Sequence, residues 1–414
     1  MPTNKKKESK QPPQGEPSNS TASSPSTPQD KQPIIVDIHT HMYPPSYIKL
    51  LQSRDTIPLI RSFPGQPDPR LVLLPSEVPL LSNPSPSQPP GRPLTDAYTS
   101  LDAKIAFMDK HNISISVLSL ANPWLEFLSS SPDPNSAVQP AIQINAEFEY
   151  WCQKHPGRLY FFGCLPLHPE ETVQVFVAAQ TLKRTLRHCR GVIVGTNGLG
   201  KGLDDPDMLV VFGQLQELDL PVFLHPHYGL PNEVFGERAE KGEYGHVLSL
   251  GLGFPMETTV AVARMYLAGV FDKYPNLKVI LAHGGGTLPF LAGRIESCVR
   301  HDAYLYAKEK ESGKKRRSIW EVLKSQIYLD AVVYSEVGLK AAIAASGEGG
   351  VERVMFGTDH PFFPPLEEGE EEWGSVAMNK EAAEKALGEG SKEAEMVLGG
   401  NAVEILRLGE DCLP

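Results

Sequence analysis

Two histidines at the end of an apolar run, His39 and His41, constrain this chain more than any other feature. The run from Pro33 to Ile38 has the composition of a buried strand. Side chains alternate along a strand with a period of two, so both imidazoles point to the same face. Two neutral imidazoles on one face can share a divalent metal ion, and zinc is among the metals that suit them. An isolated pair of this kind is more often only two polar residues where a strand passes into a loop.

From Ile34 onward, about eight strand-like runs alternate with helical ones. Runs such as Ile113 to Leu120, Leu159 to Leu165 and Pro221 to Leu224 are continuously apolar, which is typical of parallel strands covered on both faces. Between them, apolar residues recur with helical spacing, as in Ala137 to Cys152. This alternation predicts an α/β fold, a (β/α)8 TIM-type barrel. A doubly wound parallel sheet produces a similar alternation, so the spacing alone does not establish closure.

The chain divides into a tail and one large domain. Residues 1–32 are rich in Lys, Ser, Pro and Gln, and we predict a disordered tail because they cannot bury enough apolar surface. The barrel is expected over 33–408, followed by a short tail at 409–414. An irregular loop insert rich in Pro and Ser is expected at 62–93, positioned to fold over the mouth of the barrel. Near its end, Arg92 is either a solvated cation or an anchor for a substrate carboxylate.

Composition limits the partners and the compartment. The net charge of −11 argues against nucleic acid as a partner. No apolar run reaches the roughly 20 residues that a membrane-spanning helix needs, and the N-terminus has no secretory apolar core. The five cysteines form no Cys-X-X-Cys pair, so we expect reduced thiols. Together these features predict a cytoplasmic protein that acts on a small molecule, without a membrane or nucleic-acid partner.

Polar residues follow several of the predicted strands. In a parallel barrel, all residues at this end of the strands meet at one rim, where barrel enzymes place their chemistry. The residues concerned, besides the histidine pair, are Asn122, His225, His227, His283 and Asp359. Each alone has an ordinary alternative, such as a loop histidine bonded to backbone or a capping aspartate. Gathered at one rim, such groups are costly unless they pair, bind a metal or do chemistry.

The simplest assignment is one metal ion. Three nitrogens and one oxygen would hold it and leave a position for water or substrate; the ligands are His39, His41, His225 and Asp359. We place His283 nearest the chemistry because the glycines after it allow close approach, and we expect His227 to line the pocket. Two-metal hydrolases with a His-X-His site usually carry a bridging modified lysine at the end of a middle strand. Here that strand ends in Val194-Gly195-Thr196, which predicts a mononuclear site.

Four longer strings resemble the metal-dependent amidohydrolase superfamily, in particular its decarboxylase branch. They are VDIHTHMYPPSY at 36–47, GLGKGLDDP at 198–206, FLHPHYGLPNE at 223–233 and FGTDHPFFPP at 356–365. The resemblance extends from about Ile34 to Leu408. Within the branch, the strings are similar to those of fungal decarboxylases that act on uracil-5-carboxylate (isoorotate) in thymidine salvage.

The resemblance implies a barrel of the metal-dependent hydrolase kind and a non-oxidative decarboxylase, a carboxy-lyase of pyrimidine salvage. It implies Zn2+ as the cofactor, with Mn2+ as an alternative, held by the four ligands already assigned. Arg92 and Asn122 would contact the pyrimidine and its carboxylate, Phe362 would pack on the ring, and His283 would lie beside the reacting carbon. A homodimer or larger homo-oligomer is also implied.

The expected chemistry is protonation of the ring carbon before carbon dioxide leaves, because direct loss would create a high-energy vinyl-type carbanion. Asp359 is the expected proton donor, with His283 assisting. Three alternatives stay open. A salicylate- or resorcylate-type aromatic acid could be the substrate, a mononuclear site could hydrolyse an amide or lactone, or zinc could stabilise a protein without turnover.

Overall fold

The computed structural model describes residues 33–85, 89–128, 131–133, 135–168, 172–366 and 372–409. The tail predicted at 1–32, and all but the first residue of the one predicted at 409–414, lie outside these residues. The strands are β1 Val36–Met42, β2 Leu59–Arg61, β3 Arg70–Val72, β4 Arg92–Pro93, β5 Ile115–Leu120, β6 Leu159–Cys164, β7 Cys189–Gly195, β8 Val222–His225, β9 Val279–Leu281, β10 Ile327–Asp330 and β11 Val354–Met355.

The α-helices lie mostly between these strands. In chain order they are α1 Pro45–Gln52, α2 Asp96–Thr99, α3 Leu101–Lys110, α4 Val138–Lys154, α5 Thr172–Thr185, α6 Pro206–Glu217, α7 Glu237–Glu240, α8 Phe254–Leu267, α9 Val270–Lys273, α10 Leu288–His301, α11 Ala303–Ser312, α12 Ile319–Ser325, α13 Glu336–Ala345, α14 Gly374–Leu387, α15 Lys392–Glu395 and α16 Asn401–Ile405.

Eight parallel strands form one sheet in the order β1-β5-β6-β7-β8-β9-β10-β11. The order follows the chain without reversal, whereas a doubly wound sheet reverses at a switch point. The sheet closes where β1 meets the segment that begins with β11. There the Ile38 N–H donates to the Phe356 carbonyl at 3.1 Å, and the His41 N–H donates to the His360 carbonyl at 2.8 Å. We call this contact the seam. The predicted (β/α)8 barrel is confirmed.

The barrel strands are buried on both faces. All residues of β1, β6 and β7 are buried, including the two histidines of β1. A strand covered by helices outside and by packed side chains inside has no solvated face, so its sequence reads as a continuous apolar run. The polar residues inside β1 therefore stand out against an apolar background.

The segment predicted as an irregular insert has more order than its composition suggests, which corrects that expectation. It contains β3 and β4; β3 pairs antiparallel with β2 on one side and with β4 on the other. Phe63 and Val72 of the insert form a small core with Leu59 of β2. The carboxylate of Glu77 accepts the Gly91 N–H at 2.7 Å. Such side-chain bonds between distant parts of the insert order strands of two or three residues, which are too short to leave a periodic pattern in the sequence.

None of the helices in the described residues has the length and apolarity that a bilayer crossing requires.

Candidate active site

Three imidazoles meet in the interior of the barrel mouth. His39 and His41 lie on one face of β1, with ring centroids 5.0 Å apart. His225 ends β8, and its ring lies 5.1 Å from that of His39 and 5.0 Å from that of His41. The three rings are at most 3% exposed. The alternation of β1 thus brings its two histidines together, and the sheet order places β8 across the barrel from them.

Each of these rings uses Nδ1 for a bond to the protein. Nδ1 of His39 lies 2.5 Å from Asp330 Oδ2, and Nδ1 of His225 lies 2.7 Å from the Pro226 carbonyl. Nδ1 of His41 lies 2.9 Å from Ser119 Oγ, whose proton goes to the Thr40 carbonyl. In the neutral form of each ring, these acceptors place the proton on Nδ1 and leave a lone pair on Nε2 for a metal ion. All three Nε2 atoms are buried without a hydrogen-bond partner among the described residues.

A carboxylate faces these nitrogens. Asp359 follows β11, and its Oδ1 lies 3.3 Å from His39 Nε2 and 3.6 Å from His41 Nε2. Its Oδ2 lies 3.7 Å from Nε2 of His283, which follows β9. Asp359 and His283 both have left-handed backbone angles, with φ of 58° and 55°. Such angles are uncommon outside glycine and occur disproportionately at functional sites.

Charge and burial act on these groups in opposite directions. Burial lowers the pKa of His41 to about 4 and that of His225 well below its ordinary value. Burial acts in the same direction on His39, but the charges of Asp359 and Asp330 raise its pKa to about 10. Burial would raise the pKa of Asp359, but the charge of His39 and the close approach of the His283, His39 and His41 rings hold it well below its ordinary value. The site thus has two neutral imidazoles and two carboxylates, a balance of charge that favours a cation at the Nε2 side of the histidines.

A metal ion fits this donor set. One oxygen or nitrogen from each of His39, His225, His283 and Asp359 lies within 4.8 Å of the others. His41 falls outside that group, although its Nε2 is buried, unpartnered and 3.6 Å from Asp359. Neutral imidazole nitrogen and carboxylate oxygen are the usual ligands of a catalytic zinc site. The predicted ligands are therefore gathered at one place, with His283 beside them.

Arg92 and His41 both lie against the ring of Phe362. The guanidinium carbon of Arg92 is 4.7 Å from the centroid of the Phe362 ring, which itself lies 5.6 Å from the His41 ring. The guanidinium donates to the Tyr43 hydroxyl and, at 3.2 Å, to the backbone carbonyl of Asn122. The side-chain amide of Asn122 donates to the His227 carbonyl instead of facing Arg92. Arg92 and Phe362 thus line one side of the mouth together, while the Asn122 amide holds the β8 loop.

His227 follows β8 in the chain, but its ring lies against the last residue of β7, Gly195. Its Nε2 is 2.7 Å from Glu126 Oε1, and its backbone N–H donates to Glu257 at 2.9 Å. A Cβ at Gly195 would come within 2.6 Å of the Trp124 ring and 2.9 Å of His227 Nδ1. Position 195, the last of β7, therefore has no space for the bridging lysine of a two-metal site, and the sequence has glycine there.

Sequence reasoning did not identify the residues that hydrogen-bond to the site histidines and fix their positions. Asp330 ends β10; besides His39 Nδ1, it accepts the N–H groups of His283 at 3.0 Å and Gly284 at 2.8 Å. The rule that identified Asp359, a carboxylate just at the end of a predicted strand, would have identified Asp330 too. Ser119, Glu126 and Glu257 carried no comparable signal, because their roles depend on contacts with residues far away in the chain.

The comparisons with known proteins agree with this geometry. The amidohydrolase family model matches residues 36–408. A 2-amino-3-carboxymuconate-6-semialdehyde decarboxylase of Dictyostelium discoideum is 31% identical over 309 residues, 74% of this chain and 76% of that protein. A gamma-resorcylate decarboxylase of a Rhizobium species is 28% identical over 271 residues, 63% of this chain and 76% of that protein. The crystal structure of Metarhizium anisopliae IDCase, an isoorotate decarboxylase, in apo form is 58% identical, with a TM-score of 0.85 over 92% of this chain and 98% of that one.

The chain belongs to the amidohydrolase family. Within that family it is a metal-dependent decarboxylase, a carboxy-lyase, like the relatives that it matches.

Proposed function

We propose that this enzyme decarboxylates uracil-5-carboxylate (isoorotate) to uracil and carbon dioxide. The observation that carries the metal-dependent reaction is the set of three buried, unpartnered Nε2 atoms, two of which lie 3.3 and 3.6 Å from Asp359 Oδ1. The 58% identity to the Metarhizium anisopliae IDCase supports the pyrimidine substrate. The 28% identity to a gamma-resorcylate decarboxylase keeps a dihydroxybenzoate as the competing substrate.

We infer that His39, His41, His225 and Asp359 hold the metal. The Nδ1 bonds of the three histidines favour this set, since a metal-ligating histidine usually donates its other nitrogen to a fixed acceptor. His283 lacks such support: its Nδ1 is buried without a partner among the described residues, and its side chain is 14% exposed. We therefore assign His283 to the substrate side. When bound, the metal would neutralise the substrate carboxylate and the adjacent carbonyl oxygen.

Asp359 and His283 would supply the proton. The low pKa of Asp359 means that the resting group is ionised, so it needs a proton before it can donate one. His283, with Nε2 at 3.7 Å from Asp359 Oδ2, is the nearby group that we propose to provide it. The proton goes to C5 of the ring, the bond from C5 to the carboxylate breaks, and its electron pair stays in the ring as carbon dioxide leaves.

Arg92 and Phe362 would bind the substrate. A guanidinium stacked on an aromatic ring presents a planar fork of donors next to an apolar face, which suits a flat ring with a carboxylate. Burial of the substrate under the insert that carries Arg92 would exclude water and so strengthen the ion pair between the guanidinium and the substrate carboxylate.

The test is product analysis with metal analysis on the same preparation. We expect zinc or manganese at one ion per chain. We also expect uracil and carbon dioxide in equal amounts from uracil-5-carboxylate, with a higher kcat/KM than for 2,6-dihydroxybenzoate. Preference for the dihydroxybenzoate would make the enzyme a phenolic acid decarboxylase. Ring opening of an amide or lactone without carbon dioxide, or bound metal without any turnover, would contradict the proposal.

The homo-oligomer and the cytoplasmic location stay predictions, and size-exclusion chromatography with light scattering measures the first of them.

A further inference from the structure

A fully buried lysine lies behind the site. Lys104 of α3 is 0% exposed, and it belongs to neither the proposed metal ligands nor the proposed substrate contacts. Lysine is almost never fully buried unless it is paired, because removing an ammonium from water is costly. The contacts of Lys104 therefore need an explanation other than core packing.

The ammonium of Lys104 holds the two chain segments that form the seam. It donates to the hydroxyl of Thr40, and its Nζ lies 3.1 Å from His360 Nδ1. Thr40 stands between the two β1 histidines, with its side chain on the opposite face of the strand, and His360 directly follows Asp359. The lysine thus contacts the neighbours of three proposed ligands and none of the ligands themselves.

The same network continues through a second buried charge. Asp37, also 0% exposed, accepts the His39 N–H at 3.2 Å, the Thr358 N–H at 3.0 Å and the Thr358 hydroxyl at 2.7 Å. Thr40 donates its hydroxyl proton to the His360 carbonyl at 3.1 Å, and the His360 N–H donates to Thr358 Oγ1 at 3.1 Å. The bonds link β1 to the segment after β11 at several points, and the acidic and basic members compensate each other.

The ring of His360 is fixed as well. It stacks on Phe107 of α3 with centroids 3.7 Å apart, and it lies 4.6 Å from Trp373. Lys104 and Phe107 come from successive turns of the same helix, so α3 supports the residue after Asp359 with both a charge and an aromatic face.

We propose that Lys104 is a positioning residue, which sets the distance between the β1 histidines and Asp359 by bridging Thr40 and His360 across the seam. The inference rests on the proposed metal site and reaction. A purely structural role is the rival explanation, and it predicts a loss of stability alone. Methionine has a similar length and no charge, so Lys104→Met removes the bridge while filling most of the space.

The experiment compares Lys104→Met with Lys110→Met, a matched change at an exposed position of the same helix. Four quantities are measured for each: the zinc affinity by competition with a chelator, the melting temperature of the metal-free protein, and kcat and KM with the metal saturating. Zinc affinity requires no turnover, so this readout stands even if the proposed substrate is wrong.

For Lys104→Met we expect the zinc affinity to fall by about 10- to 100-fold, as for other residues that orient metal ligands. We expect kcat to fall by about 100-fold with KM nearly unchanged, because the ligands would be displaced but the substrate contacts retained. Lys110→Met should match the wild type in all four quantities. If Lys104→Met lowers only the melting temperature, with zinc affinity and kcat per bound metal at wild-type values, the inference is overturned.

A second pair of variants covers the case in which Lys104→Met does not fold. Thr40→Val removes the hydroxyl that accepts from Lys104, whereas Thr40→Ser keeps it. We expect Thr40→Val to show the same loss of zinc affinity as Lys104→Met, and Thr40→Ser to keep most of the wild-type affinity. Equal zinc affinities of the two variants would contradict the bridge. Absence of turnover by the wild type on every acid tested would refute the proposed reaction and leave the zinc comparison to decide the role of Lys104.

Discussion

The barrel and the insert contribute to the site in different ways. The proposed metal ligands lie on barrel strands or, for Asp359, in the segment that follows β11, and those on β1 and β8 are fully or almost fully buried. Arg92 lies on a two-residue strand at the edge of the small antiparallel sheet, and it is only partly buried. Metal coordination tolerates displacements of only about 0.5 Å, so it belongs on rigid elements. Substrate recognition can be placed on an insert whose changes leave the barrel intact. The difference predicts that changes in the barrel abolish chemistry, whereas changes in the insert mainly alter binding.

Removal of the metal should have the largest effect. Dialysis against a chelator, or the variant His225→Ala, should lower kcat/KM by at least about 1000-fold, because several kcal/mol of charge stabilisation would be lost. Added zinc or manganese should restore the dialysed wild type but not the variant. His301→Ala, at an exposed histidine of α10, is the control and should keep full activity. Undiminished turnover after complete removal of the metal would refute the metal-dependent mechanism.

Asp359→Asn comes next. We expect kcat to fall by about 100- to 10,000-fold, the usual contribution of a general acid or base. The amide keeps an oxygen that can face the metal but cannot deliver a proton. Metal content and kcat are measured on the same sample, so that loss of the ion is not mistaken for loss of the acid. A variant with bound zinc and near-full turnover would show that Asp359 is not the donor.

Arg92→Ala should affect binding more than chemistry. We expect KM to rise by about 10- to 100-fold, because a charged hydrogen bond to the carboxylate would be lost, with kcat changed only a few fold. Arg92→Lys should recover only part of the loss, since lysine keeps the charge but not the planar fork. An unchanged KM would remove Arg92 from the substrate site.

The smallest effect is expected deep in the insert. Glu77→Gln weakens the charge-assisted bond to the Gly91 N–H, immediately before Arg92. We expect KM to rise by about threefold and the melting temperature to change little, because one such bond in the insert contributes about 1–3 kcal/mol at most. A large loss of kcat would show that the insert and the barrel are coupled more tightly than the contrast between them implies.

Sequence reasoning reached the barrel and most of the gathered side chains for a definite reason. Apolar alternation and strand period are local properties, so β1 and its two histidines could be predicted from a few residues. The rule that parallel strands end at one rim then brought in His225, His283 and Asp359 without knowledge of any distance. The order of the insert was missed because its strands are too short to show a period, and Asp330 was missed although the same rule applies to it.

The sequence by itself determined the kinds of side chain at the rim and the absence of a lysine at the end of β7. Only the tertiary structure decided how they are held. Asp37 and Thr358 are 321 positions apart, yet they share a buried hydrogen bond at the seam. Nothing in the sequence of α3 distinguishes Lys104 from a solvent-exposed lysine. Its proposed role depends on the packing of α3 against the seam. The physical reason is range: periodicity fixes the direction of a side chain along its own strand, whereas the distance between two strands depends on the packing of the whole barrel.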